Sequence, residues 1–157
     1  MDVIAAMVSM NGTIRDLRTW SCVIHQYLAQ PGDVVNQAAL VAENILYGRF
    51  RQVPVTQVRS LVEEQAFIVD VREKGEYEAG HLKGSVNIPL SELRERTDEI
   101  PKDRPVYLHC RSSQRSYNAL MALQGRGYEN VVNISGSFLG ICLYEYYNDV
   151  AMGGKKS

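Results

Sequence analysis

Val106-Tyr107-Leu108-His109-Cys110-Arg111-Ser112-Ser113-Gln114-Arg115-Ser116-Tyr117-Asn118-Ala119-Leu120 is the stretch on which the fold turns. It begins as a β-type run, reaches a cysteine, passes through a run of polar residues and resumes with a helical pattern. A cysteine at the end of a strand, joined by a short loop to a helix, sits where backbone N–H groups converge. Those unpaired donors and the positive end of the helix dipole make an anion site. The same field favours thiolate over thiol, and Arg111 and Arg115 flank the loop and add to it. Most cysteines are small buried hydrophobes, and Cys22 and Cys142 are read that way. Cys110 is not, because Arg, Ser, Ser, Gln, Arg and Ser follow it directly. Cys110 is therefore the candidate nucleophile.

Working outward, short apolar runs alternate with helical patterns from about residue 52. Thr56 is placed to cap a helix carrying Val58, Leu61 and Val62. Phe67-Ile68-Val69-Asp70-Val71 is a near-continuous apolar strand, followed by a short polar helix near 73–79 and a strand over Ser85–Pro89. Ser91 opens a charged helix through about Glu99. Pro105–Leu108 is the strand before the cysteine loop, and 116–126 the helix after it. Asn130–Ile134 is a further strand, and an amphipathic helix runs from about Ser137 to Tyr147. Apolar strands separated by helices predict an α/β fold, a parallel sheet covered by helices on both faces. In such sheets ligands bind at the carboxyl ends of the strands, where Cys110 falls.

The first fifty residues read as a mainly helical extension. Val3, Ile4, Met7 and Met10 share one face of a helix over 2–11, and Thr13-Ile14-Arg15-Asp16 has the form of a capping box. Residues 21–28 look like a strand that contains a structural or surface His25, and Pro31-Gly32-Asp33 like a turn. A helix over 34–47 puts Val34, Val35, Ala38, Val41, Ala42, Ile45 and Leu46 on one side, closed by Gly48. The expected organisation is thus an extension over 1–50, a domain over 51–148 and a flexible tail over 149–157.

The chain has 157 residues and a formal net charge of −1, which gives no electrostatic argument for nucleic acid or an anionic membrane. No apolar run reaches transmembrane length and the N-terminus does not read as a signal peptide. Three widely spaced cysteines make neither a disulfide framework nor a metal pair, so no metal is expected and a reducing cytoplasm is the expected location. No glycine-rich dinucleotide fingerprint occurs, so no FAD or NAD(P) cofactor is expected.

Phe67-Ile68-Val69-Asp70-Val71-Arg72-Glu73, Glu76-Tyr77, Gly80-His81-Leu82-Lys83-Gly84-Ser85-Val86-Asn87-Ile88-Pro89 and Cys110 to Ser116 resemble, in order, the successive motifs of a rhodanese-homology domain over about residues 50–147. The resemblance implies a five-stranded parallel sheet and a cysteine that accepts a sulfane sulfur as a persulfide and passes it to a thiol or cyanide. A second resemblance covers residues 2–53. Asp2 to Ala6, Thr13 to Leu17 and Asp33 to Leu46 are similar to the end of the dimerisation domain of coenzyme A-disulfide reductases and related NADH oxidase-type flavoproteins. That implies pairing through residues 1–50, with a second copy or with a partner flavoprotein. The reductase activity is not implied, because the flavin-side cysteine is absent.

Cys110 to Arg115 is C-x4-R, the spacing of rhodanese-like sulfurtransferases, whereas related phosphatases and arsenate reductases on the same fold carry C-x5-R. The tighter loop favours an anionic sulfur over a tetrahedral phosphate. The expected partners are a small anionic sulfur donor (thiosulfate, polysulfide or a small persulfide) and a thiol acceptor. Arg111 and Arg115 would attract the donor, and the backbone amides from Arg111 to Arg115 would hold the charge, with Ser112, Ser113 and Gln114 offering side-chain donors. Many loops of the family have Gly where Ser113 stands, so a positive φ there would strain the chain. Asp70, Arg72 and His81 are read as structural residues beside the site, and His109 as pointing away from it. The non-enzymatic alternative is an assembly or regulatory module; the retained cysteine favours chemistry.

Overall fold

The structure, a computed structural model, describes residues 2–17 and 34–151. Cys22, His25, the strand expected over 21–28 and the turn at Pro31-Gly32-Asp33 lie outside the described residues. The chain divides into two compact units, Met1–Phe50 and Arg51–Ser157.

In the first unit α1 spans Asp2–Ser9 and α2 spans Val34–Leu46, with residues 14–17 helical between them. The capping box forms as expected: Thr13 N–H donates to Asp16 Oδ2 at 2.8 Å, and Asp16 N–H to Thr13 Oγ1 at 3.2 Å. Gly48, at φ 66°, closes α2, its N–H bonding Ile45 O. The residues predicted to share a helical face differ in burial. Met7 is buried on α1, but Ile4 and Met10 are exposed; on α2 burial falls on Ala39, and Val41, Ile45 and Leu46 are exposed. Helical periodicity identifies an apolar stripe without saying what covers it.

The second unit is built on a five-stranded parallel sheet in the order β1-β5-β4-β2-β3. Its strands are β1 (Gln52–Val53), β2 (Phe67–Asp70), β3 (Val86–Asn87), β4 (Val106–His109) and β5 (Val131–Ile134). A single 3-10 turn over Val55–Gln57 leads into α3 (Val58–Glu63). Next come α4 (Lys74–Glu78), α5 (Gln114–Gln124) and α6 (Ser137–Ala151). The chain moves one way across the sheet from β1 to β3 and returns to β4 and β5. Because parallel crossovers are right-handed, the outward and return connections lie on opposite faces. On one face Val58, Leu61, Ile68, Ile134 and Ile141 form a buried cluster against which Tyr107 packs. By strand alternation Val69, Leu108 and Val131 face the other side, where α5 lies on β4 and β5. Burying a side chain of this size fully contributes about 1.5–3 kcal/mol.

Several local expectations change. Thr56 lies inside the 3-10 turn, and Gln57 stands at the start of α3. Ser91–Glu99 is not a helix but a series of turns ending in a 3-10 turn over Thr97–Glu99. Its bonds are mostly i to i−3 (Glu95 to Glu92, Glu99 to Arg96), and within it only Leu93 and Thr97 are buried. A segment with so little apolar face gains little from a helix. Cys142 is exposed rather than buried, on a side of α6 that also leaves Leu139, Leu143 and Tyr146 exposed. Residues 149–151 belong to α6 rather than to a tail. No helix among the described residues is long and apolar enough to cross a membrane.

Candidate active site

β4 lies in the middle of the sheet, paired on both sides, and Cys110 is the first residue beyond its carboxyl end. Arg111, Ser112 and Ser113 make the loop, and Gln114 starts α5. Ser113 has φ 77° and ψ −14°, the left-handed conformation that the sequence suggested would strain a serine there. The turn aims the first amides of α5 back at the cysteine.

Cys110 is 1% exposed. Burial pushes its thiol pKa up, and the surrounding donors more than offset it: the N–H and hydroxyl of Ser116, the N–H of Ser112 and the hydroxyl of Ser137. The net result is a pKa below the ordinary thiol value. Ser116 is fully buried, and its hydroxyl also reaches Ser113 O at 3.1 Å. α6 contributes from the far side. Phe138 N–H donates to Cys110 O at 2.9 Å and Leu139 N–H to Arg111 O at 3.1 Å, so the loop is fastened to a second helix start. Ser137 Oγ accepts Cys110 N–H at 3.2 Å and lies 3.9 Å from Cys110 Sγ.

Arg111, Ser112 and Gln114 are exposed on the loop. Arg115 is half-buried and engaged: it bonds both carboxylate oxygens of Glu76 in α4, at 2.6 and 2.9 Å. That hydrogen bonding, against some desolvation, holds the Glu76 carboxyl at about 2. Arg115 still lies near enough to Cys110 to feel a negative sulfur.

Asp70 and Arg72 form a buried fork at the end of β2. Arg72 Nε lies 3.0 Å from both Asp70 oxygens and Nη2 2.6 Å from Oδ2, while Nη2 also donates to Gly80 O at 2.7 Å. The guanidinium carbon sits 3.8 Å over the Phe138 ring. These residues tie the β2 end to the following loop and to α6. His81 bonds Tyr77 O through Nδ1 at 2.9 Å and stacks on the Tyr77 ring, centroids 3.9 Å apart. His109 is fully buried in register with Asp70; its Nε2 lies 3.8 Å from Asp70 Oδ2 and has no hydrogen-bond partner. Burial lowers its pKa, only partly opposed by Asp70, so the ring is held neutral.

Sequence reasoning missed three contributors. Ser116 was visible as part of the polar run but had no role; Glu76 and Ser137 lie 39 and 27 residues from their partners. Among the described residues no group of three His, Cys, Asp or Glu side chains is placed to hold a metal ion. A cavity lined by Val62, Glu63, Gln65, Ala66, Lys83 and Gly84 lies at the amino ends of β2 and β3, opposite the cysteine.

Comparison with known proteins agrees with the fold. The model of the rhodanese-like domain matches residues 54–143. A protein of Allochromatium vinosum named sulfurtransferase is 37% identical over 76 residues, covering 48% of this chain and 71% of its own length. The crystal structure of reduced Bacillus anthracis CoADR-RHD superposes with a TM-score of 0.79 at 36% identity, over 92% of this chain and 26% of that one. A NAD-dependent persulfide reductase from A. fulgidus superposes with a TM-score of 0.69 at 30% identity, over 87% of this chain and 24% of its own. This chain therefore spans about a quarter of the length of those two structures.

Proposed function

The chain belongs to the rhodanese-like domain family, and from that premise we propose that it moves a sulfane sulfur from a small anionic donor to a thiol through a persulfide on Cys110. The observation that carries the reading is the convergence of Ser112 and Ser116 amides and the Ser137 hydroxyl on one buried sulfur with a lowered pKa. Such a cradle stabilises a localised anion, first the thiolate and then the terminal sulfur of the persulfide.

The reaction has two halves. The Cys110 thiolate attacks the outer sulfur of thiosulfate, a polysulfide or a small persulfide; the Sγ–S bond forms, the donor's S–S bond breaks and the remainder leaves with its electron pair. An acceptor thiolate then attacks the outer sulfur, breaking the Sγ–S bond and returning Cys110 as thiolate. Arg111, exposed at the lip, draws in the anionic donor. Arg115 carries part of the positive field while its hydrogen bonds stay on Glu76, a division of labour between the two arginines that spacing alone did not suggest.

Intact mass before and after exposure to thiosulfate or polysulfide tests this. The native protein gains one sulfur atom, which cyanide discharges as thiocyanate, and Cys110→Ser gains none. No gain with any donor, or an equal gain on the serine variant, rejects the proposal.

A further inference from the structure

Ser113 and Ser137 open α5 and α6, and both sit at positive φ, 77° and 49°. An L-side chain crowds its own carbonyl there, and glycine takes the same shape without that crowding. Such strain persists where the surroundings hold it, and it gathers at functional sites. What serine has and glycine lacks is a hydroxyl, and these two hydroxyls meet: Ser113 Oγ donates to Ser137 Oγ at 3.2 Å.

Ser137 is fully buried, and its hydrogen bonds can be followed one by one. A hydroxyl has two lone pairs and one proton. Cys110 N–H takes one lone pair at 3.2 Å, and the Ser113 hydroxyl takes the other. The remaining proton faces two acceptors, Ile134 O at 3.4 Å and Cys110 Sγ at 3.9 Å. A neutral sulfur competes poorly with a carbonyl. An ionised one wins, because charge-assisted bonds are shorter and stronger. A donor that is itself receiving a hydrogen bond is polarised and donates better.

We propose that Ser137 is a positioning residue of the reaction: it fixes the Cys110 backbone from the start of α6 and turns its proton to Cys110 Sγ whenever that sulfur is anionic, with Ser113 polarising it from behind. The place in a reaction rests on the sulfurtransferase reading; the ionisation itself does not. Sγ is anionic twice in the cycle, as nucleophile and as leaving group. Charge stabilisation on a thiolate raises its fraction but lowers its intrinsic nucleophilicity, whereas it helps a leaving thiolate directly. Ser137 therefore assists discharge of the persulfide more than its formation.

The test titrates the ultraviolet absorbance of the Cys110 thiolate against pH, taken as the difference from Cys110→Ser, in the full chain and in Ser137→Ala and Ser137→Gly. Thermal unfolding confirms that each variant is folded; the glycine variant relieves the positive φ and keeps the experiment decisive if alanine does not fold. Both variants shift the midpoint up by about one pH unit, roughly tenfold less thiolate below it. Both discharge a preloaded persulfide to cyanide about threefold more slowly. An unchanged midpoint in folded Ser137→Gly overturns the inference, as does a shift in alanine alone, which would trace to backbone strain rather than to the hydroxyl. Failure to load sulfur at all removes only the discharge measurement, so rejection of the sulfurtransferase reading leaves the titration intact.

Discussion

Arg115 grips Glu76 with both terminal guanidinium nitrogens, Nη1 on Oε2 at 2.6 Å and Nη2 on Oε1 at 2.9 Å. The pair locks the first turn of α5 to α4, and Glu76 also serves the capping box of α4 through Glu73 N–H. Its pKa falls from 4.5 to about 2 on folding, led by the Arg115 hydrogen bond. A depressed carboxyl contributes stability that is present above its unfolded value and lost as pH falls through the folded one. The melting temperature is expected to carry a Glu76 contribution that is constant above pH 4.5 and disappears on the way down to about 2. Glu76→Gln measured beside the native protein isolates it: the gap between them closes across that window, and a pH-independent gap would remove this account.

The Asp70–Arg72 fork is a costly place to make a single change. Both side chains are buried, at 0% and 4% exposure, and each is the other's counter-ion. Arg72→Met leaves a buried carboxylate unpaired and is expected to destabilise by about 3–5 kcal/mol in denaturant unfolding. Asp70→Asn combined with Arg72→Met is expected to cost less than the sum of the two single changes, since neither charge is then left alone. Additive costs would show that the pair is not coupled.

Ser113 separates backbone strain from side-chain chemistry. At φ 77° alanine retains the crowding and glycine does not, and neither has a hydroxyl. Ser113→Gly is expected to unfold at higher denaturant than Ser113→Ala, by about 1–2 kcal/mol. Equal stabilities would show that the loop relaxes freely.

Cys110 and Cys142 contrast a buried sulfur whose pKa is lowered by surrounding donors with an exposed sulfur. Maleimides graded in size, followed by peptide mapping, are expected to label Cys142 whatever their bulk, and Cys110 progressively less as bulk increases. Cys110 is expected to keep reacting with the smallest reagent below the pH at which an unstructured cysteine peptide falls off, because its lowered pKa preserves thiolate there. Indifference of Cys110 to reagent size would contradict its burial.

The cysteine loop was legible because a polar run directly after an apolar strand has no packing explanation. Asp70 and Arg72 were marked instead by the resemblance to the rhodanese motif, as charges that follow a buried strand. Ser137 was not legible as a contributor. It reads as an ordinary helix start, and only the sheet order brings α6 against a loop 27 residues earlier. Local charge spacing misled at Ser91–Glu99, where Arg96 does pair with Glu92 and Glu99, because tight turns satisfy those separations without a helix. On α2 the apolar stripe was correctly counted, yet Ala39 rather than Val41 or Ile45 is enclosed. Periodicity records composition along a helix; enclosure depends on what lies opposite.

The sheet is bordered by Gln52–Val53 on one side and Val86–Asn87 on the other, each only two residues long. A border that short exposes scarcely any unpaired amides or carbonyls, so a foreign strand finds no template on which to extend. The unit is thus self-terminating on both flanks. Beside other folded modules, or beside copies of itself, it offers little edge for pairing into a shared sheet.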